Sequence, residues 1–236
     1  MNNNQTKSQT YLNEINKWTE EHKMIISQNK TKAMIINYTD NYQFSTRLQP
    51  KGENIEIVDQ IKILGTIVTN QLSWSENCDY LIKKVNARMA LLRGVLNFGA
   101  NKEEMVHLWK TFCRSVLEQS CVVWHSSLTQ ENSNDLERTQ KTFCKLILKE
   151  KYKNYENALL QLNLETLKER RNTLSLKFAK SGLKHKTLTD LFPKQETNDF
   201  VKTRNHGKFK VNFANTERLK NASIIFMQNQ LNSEAE

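Results

Sequence analysis

The chain has 236 residues, 38% apolar and 25% charged, with only 6 Gly and 2 Pro. That length allows one large domain or two small ones with a sizeable core, and the scarcity of Gly and Pro excludes a loop-rich sandwich in favour of an α+β, mainly α fold. The net charge of +10 points to a polyanionic partner. No apolar run approaches the ~18 residues of a membrane span.

Tyr11, Leu12, Ile15 and Trp18 recur at helical spacing, with Glu14, Lys17, Glu20 and Glu21 on the other side. They predict an amphipathic helix of about four turns. From Met24 the texture changes to short β-branched clusters. These are Met24-Ile25-Ile26, the run from Ala33 through Ile35 and Ile36 to Tyr38, and, beyond a Pro50-Lys51-Gly52 turn, Ile55, Ile57, Ile61, Ile63, Leu64, Ile67 and Val68. They predict a small antiparallel β element.

Ser73 and Glu76 have capping-box spacing ahead of a stripe at Ile82, Val85, Met89, Leu92 and Leu96. Gly99 offers a stop, and Asn101 with Glu104 opens a second helix carrying Met105, Leu108, Trp109, Phe112 and Val116. A third helix is predicted over about 133–149, with Leu136, Phe143 and Ile147 on one side. Three consecutive amphipathic helices with short joints predict an antiparallel bundle. A further helical pair over 155–162 and 164–183 ends before Phe192-Pro193, and the remainder has little period until Leu219, Ile224, Ile225 and Phe226. The expected divisions are 1–71, 72–150, 151–193, and a partly ordered tail over 194–236.

The positive charge is concentrated. Residues 141–186 hold twelve Lys or Arg against four Glu and no Asp. Arg138, Lys141, Lys145 and Lys149 fall at spacings of three and four, one positive stripe opposite Leu136 and Phe143, followed by Arg170, Arg171, Lys177, Lys180, Lys184 and Lys186. Such a stripe is either a phosphate-contacting surface or a solvated helix face. Trp109, Phe112, Phe143 and Phe178 have the spacing of core residues rather than of base-stacking platforms. Trp124, at a helix exit, is also assigned to packing.

Cys78, Cys113, Cys121 and Cys144 form no C-x-x-C pair and read as reduced core residues. His22, His107, His125, His185 and His206 are scattered, and there is no glycine-rich phosphate loop and no Asp-Asp pair. The opening MNNNQTKSQT lacks a charged-then-apolar leader. An intracellular protein, cytoplasmic or nuclear, with no membrane partner is therefore expected.

In order and spacing, several of these pieces resemble the reverse transcriptases of non-long-terminal-repeat retrotransposons (LINE-type, jockey- or CR1-like), in the part that follows the catalytic aspartates. The run from Trp18 through Asn29-Lys30-Thr31-Lys32 to Ile36 resembles motif D, and Ile61-Lys62-Ile63-Leu64-Gly65-Thr66-Ile67 resembles motif E. Leu72-Ser73-Trp74 resembles the opening of the thumb, and Val123-Trp124, the run Leu136 to Lys141, Arg204-Asn205, Phe209-Lys210-Val211, Thr216-Glu217-Arg218 and Leu231-Asn232 continue the likeness to residue 232.

The resemblance implies that 1–71 is the carboxyl end of a polymerase palm and 72–150 a thumb. It makes Lys30 or Lys32 the motif D lysine, which neutralises the leaving pyrophosphate, and Leu64-Gly65 a primer-grip-like pair. Read from the residues alone, the lysines sit on a solvated turn and Gly65 marks a strand bulge. The family uses Mg²⁺ held by paired aspartates; this chain has isolated acids at Asp40, Asp59, Asp79, Asp135, Asp190 and Asp199. The expectation is thus a truncated fragment, begun at a fortuitous methionine, with no metal cofactor and no polymerase activity of its own. Its implied partner is an RNA/DNA duplex bound without sequence preference. Two other readings stay open: a polymerase part active only with a complementing amino-terminal half, and a helical interaction protein with no nucleic-acid role.

Overall fold

The computed structural model describes residues 3–36, 55–194 and 208–234. The expected turn at Pro50-Lys51-Gly52, the Asn37-Tyr38 end of the expected strand, Asp40, Asp199, Arg204-Asn205 and His206 lie outside the described residues. The chain is mainly helical with a small antiparallel hairpin, and it divides into two compact units, Met1–Glu76 and Asn77–Glu236.

The first unit opens with α1, Asn3–Glu21. The predicted apolar stripe is present but not covered: Tyr11, Ile15 and Trp18 are 64%, 52% and 49% exposed. Trp18 stacks instead on His22 one turn on, with ring centroids 4.2 Å apart.

Two strand pairs follow. β1, Lys32–Ala33, pairs with β2, Glu56–Ile57, in parallel. This corrects the expected all-antiparallel element, and the chain between the two strands is long enough for the crossover that parallel pairing requires. The antiparallel hairpin is β3, Gln60–Ile63, with β4, Thr66–Thr69, in continuous register from Gln60↔Thr69 to Ile63↔Thr66. Leu64 and Gly65, at φ 48° and 86°, are its two-residue turn. Positive φ at both central positions is the type I′ pattern, whose twist matches that of the flanking strands. Gly65 therefore makes a turn possible and does not mark a strand bulge.

The second unit is helical. α2, Ser75–Asn97, begins two residues after Ser73, whose hydroxyl accepts from the Ser75 amide at 3.5 Å. Gly99, at φ 95°, ends this helical segment as expected. α3, Lys102–Leu108, has the predicted Asn101–Glu104 capping box and continues through a π-helical turn, Trp109–Arg114, into α4, Ser115–Leu117. Inside the π turn the Phe112 carbonyl accepts from Arg88 of α2, whose guanidinium lies 4.4 Å from the Phe112 ring. A short α5, Cys121–Trp124, precedes α6, Gln130–Leu148. α6 starts earlier than the apolar pattern suggests because the Thr129 hydroxyl caps it, accepting from the Asn132 amide at 3.1 Å.

α7, Tyr155–Leu162, and α8, Leu167–Gly182, are joined at Asn163, whose left-handed backbone terminates α7. The core runs through Leu81, Val85, Leu92, Met105, Trp109, Leu117, Trp124, Leu136, Phe143 and Leu167, all buried. The four cysteines are free and buried among these elements.

The tail is packed where it is described, which corrects the expectation of partial order for residues 208–234. Lys194 and Phe209 form a β-bridge, and Asn232 holds the Phe209 backbone on both sides, accepting from its amide at 2.7 Å and donating to its carbonyl at 3.1 Å. α9, Glu217–Lys220, leads into α10, Ser223–Glu234. Met227 and Leu231 of α10 close a second apolar cluster with Ala179 of α8 and Phe192.

Gly182 ends α8 against this cluster, and a Cβ there would lie 3.1 Å from Cε2 of Phe192, a ring that is itself 2% exposed. Gly182→Ala is expected to lower stability by about 1 kcal/mol, because overpacking outweighs the helix propensity gained. Urea unfolding of the full chain checks this, and an unchanged or higher midpoint would refute it.

Candidate nucleic-acid interface

α6 is oriented by what its inner side touches. Leu136, Thr139, Gln140, Phe143, Cys144 and Leu148 are buried, so Arg138, Lys141 and Lys145 face solvent. Two contacts lock this orientation. Phe143 stacks on Trp109 with centroids 4.6 Å apart and planes 15° from parallel. Gln140 accepts from the Trp109 indole at 3.1 Å, and its amide donates to the Tyr155 hydroxyl at 2.9 Å and the Glu165 carbonyl at 2.8 Å. One buried amide thus ties the π turn, α6, α7 and the α7–α8 joint together, with both ends satisfied.

Glu137, next to this hub, accepts from the Tyr155 hydroxyl and from the Lys168 amide at 2.8 Å, in the first turn of α8. Burial, then the Glu137 carboxylate, pushes the Tyr155 phenol far above its ordinary range, which keeps it a neutral donor. Sequence reasoning missed Glu137, Gln140 and Tyr155 as a group. The available signal was a Glu and a Gln three residues apart on an amphipathic helix, with Gln140 at a core position.

The outer side of α6 carries three of the four expected basic residues. Arg138 is paired with Asp135 one turn back, and its side chain remains 74% exposed. Lys141 lies 5.0 Å from the Tyr155 ring and Lys145 5.5 Å from Tyr152, each ammonium held over an aromatic face while reaching solvent. Lys149 is exposed past the helix end, with left-handed backbone at φ 48°. Lys151 and Lys153 follow it, also exposed. The result is a solvent-facing row of cations with few carboxylates beside it, able to sit against a phosphate backbone.

The two α8 arginines separate. Arg170 donates to Glu118 at 2.9 Å, and Arg114 lies 3.2 Å from the same oxygen, so its charge is partly used inside the protein. The Glu118 bond raises its pKa.

Arg171 is 1% exposed. Its Nε donates to Nδ1 of His125 at 3.1 Å, its Nη2 to Ser133 at 3.3 Å, and its guanidinium lies 6.0 Å from the Trp124 ring. Desolvation pulls its pKa down. Arg171 is an interior residue, so its expected place in a phosphate-contacting surface is corrected. Trp124, which it faces, is fully buried.

In the first unit, Lys30 is exposed at the end of a 3₁₀ turn, Gln28–Lys30, while Lys32 on β1 is ion-paired with Glu56 on β2. Leu64, at the hairpin tip, is 92% exposed. Among the described residues no group of three or more His, Cys, Asp or Glu could hold a metal ion, and no described helix is long and apolar enough to cross a membrane. Comparisons with protein-family models, with curated proteins and with solved structures find no match to this chain.

Proposed function

We propose that this chain is the part of a non-long-terminal-repeat retrotransposon reverse transcriptase that follows the catalytic aspartates, the end of the palm with the thumb and downstream region. Its activity on this reading is non-sequence-specific binding of a nucleic-acid duplex through the outer side of α6. The observation that carries the proposal is the exposed row Arg138, Lys141 and Lys145, on a helix whose inner side is fixed by Gln140 and Phe143.

The motif order described above supports the family reading, and so does the exposed apolar surface on α1 and around Ile57, Ile63 and Leu64, as suits an element that packs against further palm strands. The chain has no Asp-Asp pair to hold the Mg²⁺ that such enzymes use, so the proposed activity is binding without polymerisation. Arg171 takes no part in it, and Arg170 contributes little beyond its pair with Glu118.

Filter binding of an RNA/DNA duplex at several salt concentrations tests this reading. Three phosphate contacts are expected to give a log–log salt slope near −3, from roughly −0.9 per contact. Joint reversal of Arg138, Lys141 and Lys145 to Glu is expected to lower affinity by roughly 30-fold or more and flatten that slope. Binding that ignores salt, or that survives the triple reversal, would remove the proposal.

A further inference from the structure

α2 has a second apolar side that its own unit leaves uncovered. Leu81, Val85, Met89 and Leu92 point inward and are buried. On the opposite side Leu91, Val95 and, just past the helix end, Phe98 follow at one-turn intervals and are 62%, 38% and 94% exposed. Gly94 lies within this row, and a Cβ added there would meet nothing within 4 Å. Packing within the chain therefore gives no reason for a residue so poorly suited to a helix interior.

Beside the row is a cavity of about 480 Å³ lined by Val95, Ala100, Glu103, Glu104, His107 and Leu108. A protruding phenyl ring and an apolar recess thus share one patch, with Val95 belonging to both.

We infer that this patch is a two-fold interface between two copies of the chain, in which Phe98 of each copy enters the cavity beside α2 and α3 of the other. A symmetric contact requires a self-complementary surface, and a knob next to its own kind of hole is the simplest one. An aromatic anchor in an apolar recess is also the usual centre of binding energy. Gly94 lets the partner helix approach closely.

The charges fit the same arrangement. Arg93 flanks the row on α2 and Glu103 flanks the cavity on α3. Antiparallel pairing sets Arg93 against the partner's Glu103. The neighbouring charges are occupied within the chain: Lys102 donates to the Gln161 carbonyl at 3.2 Å, and Glu104 holds the Asn101 amide at 2.8 Å.

Sedimentation velocity of the full chain between about 1 and 100 μM is expected to show the mass rising from 27.7 kDa toward twice that value. Phe98→Glu is expected to keep the protein monomeric with an unchanged urea midpoint. Arg93→Glu and Glu103→Arg should each weaken association roughly tenfold or more, and together restore it. A monomer across the whole range, association that survives Phe98→Glu, or a double exchange that fails to restore it would overturn the inference. So would self-association abolished by Trp18→Glu on α1 rather than by Phe98→Glu. None of these substitutions touches the α6 cations, so duplex binding is expected to persist in the monomeric variant.

Discussion

Trp109→Ala is expected to lower stability by about 4 kcal/mol or more, enough to unfold much of the population of a domain whose total stability is ~5–15 kcal/mol. The indole is fully buried, so its removal leaves a large cavity under the π turn. The change also removes the ring on which Phe143 stacks and strips Gln140 Oε1 of its donor, adding about 1–3 kcal/mol for an unsatisfied buried acceptor.

Trp109→Phe separates the two effects. It retains an aromatic face for Phe143 but not the N–H, and is expected to cost about 2 kcal/mol. Combining Trp109→Phe with Gln140→Leu should cost less than the sum of the two single changes, since the pair is coupled. The Tyr155 hydroxyl and Glu165 carbonyl, both partners of Gln140, limit how far that recovery goes. Urea unfolding of the four variants measures all of this. Strict additivity, or a loss below about 1 kcal/mol for Trp109→Ala, would show that Gln140 is not the hub of the helical unit.

The second large effect is a loss of stability on mild acidification, traced to His125. The ring is 8% exposed. Its Nδ1 accepts from Arg171, and Asn172 Oδ1 lies 2.7 Å from its Nε2, so the neutral tautomer protonated on Nε2 satisfies both contacts. Protonation would place a second cation directly against Arg171. Burial first, and the positive charges of Arg171 and Lys168 after it, pull the His125 pKa from 6.5 down to about 4, against the opposing Asn172 hydrogen bond.

The folded state therefore binds fewer protons than the unfolded chain between those two values, and stability must fall as pH drops through that window. The stabilisation is complete above about pH 6.5 and gone near pH 4, a change of about 3 kcal/mol. Carboxylates titrate in the lower part of the same range, so the informative quantity is the difference between the parent and His125→Gln. Glutamine offers Arg171 an oxygen and Asn172 an N–H without titrating. The parent is expected to lose the additional ~3 kcal/mol, and parallel stability curves for the two proteins from pH 7 to pH 4 would refute the assignment.

What could be read without the structure, and what could not, divides along the range of the interactions concerned. Helix identity in the second unit was legible because 3.6-residue periodicity and terminal capping are local. The row containing Leu81, Val85 and Met89, the Asn101–Glu104 box and Gly99 each act within a few residues. The outward placement of Lys141 and Lys145 followed from the same periodicity once Leu136 and Phe143 were taken as core. The hairpin turn was misread because Leu64 ahead of Gly65 looks like strand. Only the pairing of Ile63 with Thr66 shows that both residues turn at positive φ.

The separation of Arg170 from Arg171 was beyond any local rule. The two are adjacent in sequence and equally basic, yet one meets Glu118, 52 residues away, and the other His125, 46 residues away. The same holds for the parallel pairing of β1 with β2, for the docking of Met227 and Leu231 on Ala179 and Phe192, and for the hub at Gln140. Composition, charge and period by themselves determined that this protein is a basic, mainly helical chain with a cationic α6. Tertiary structure alone decided which cations reach solvent and which buried polar groups find partners, because both depend on contacts between residues that only folding brings together.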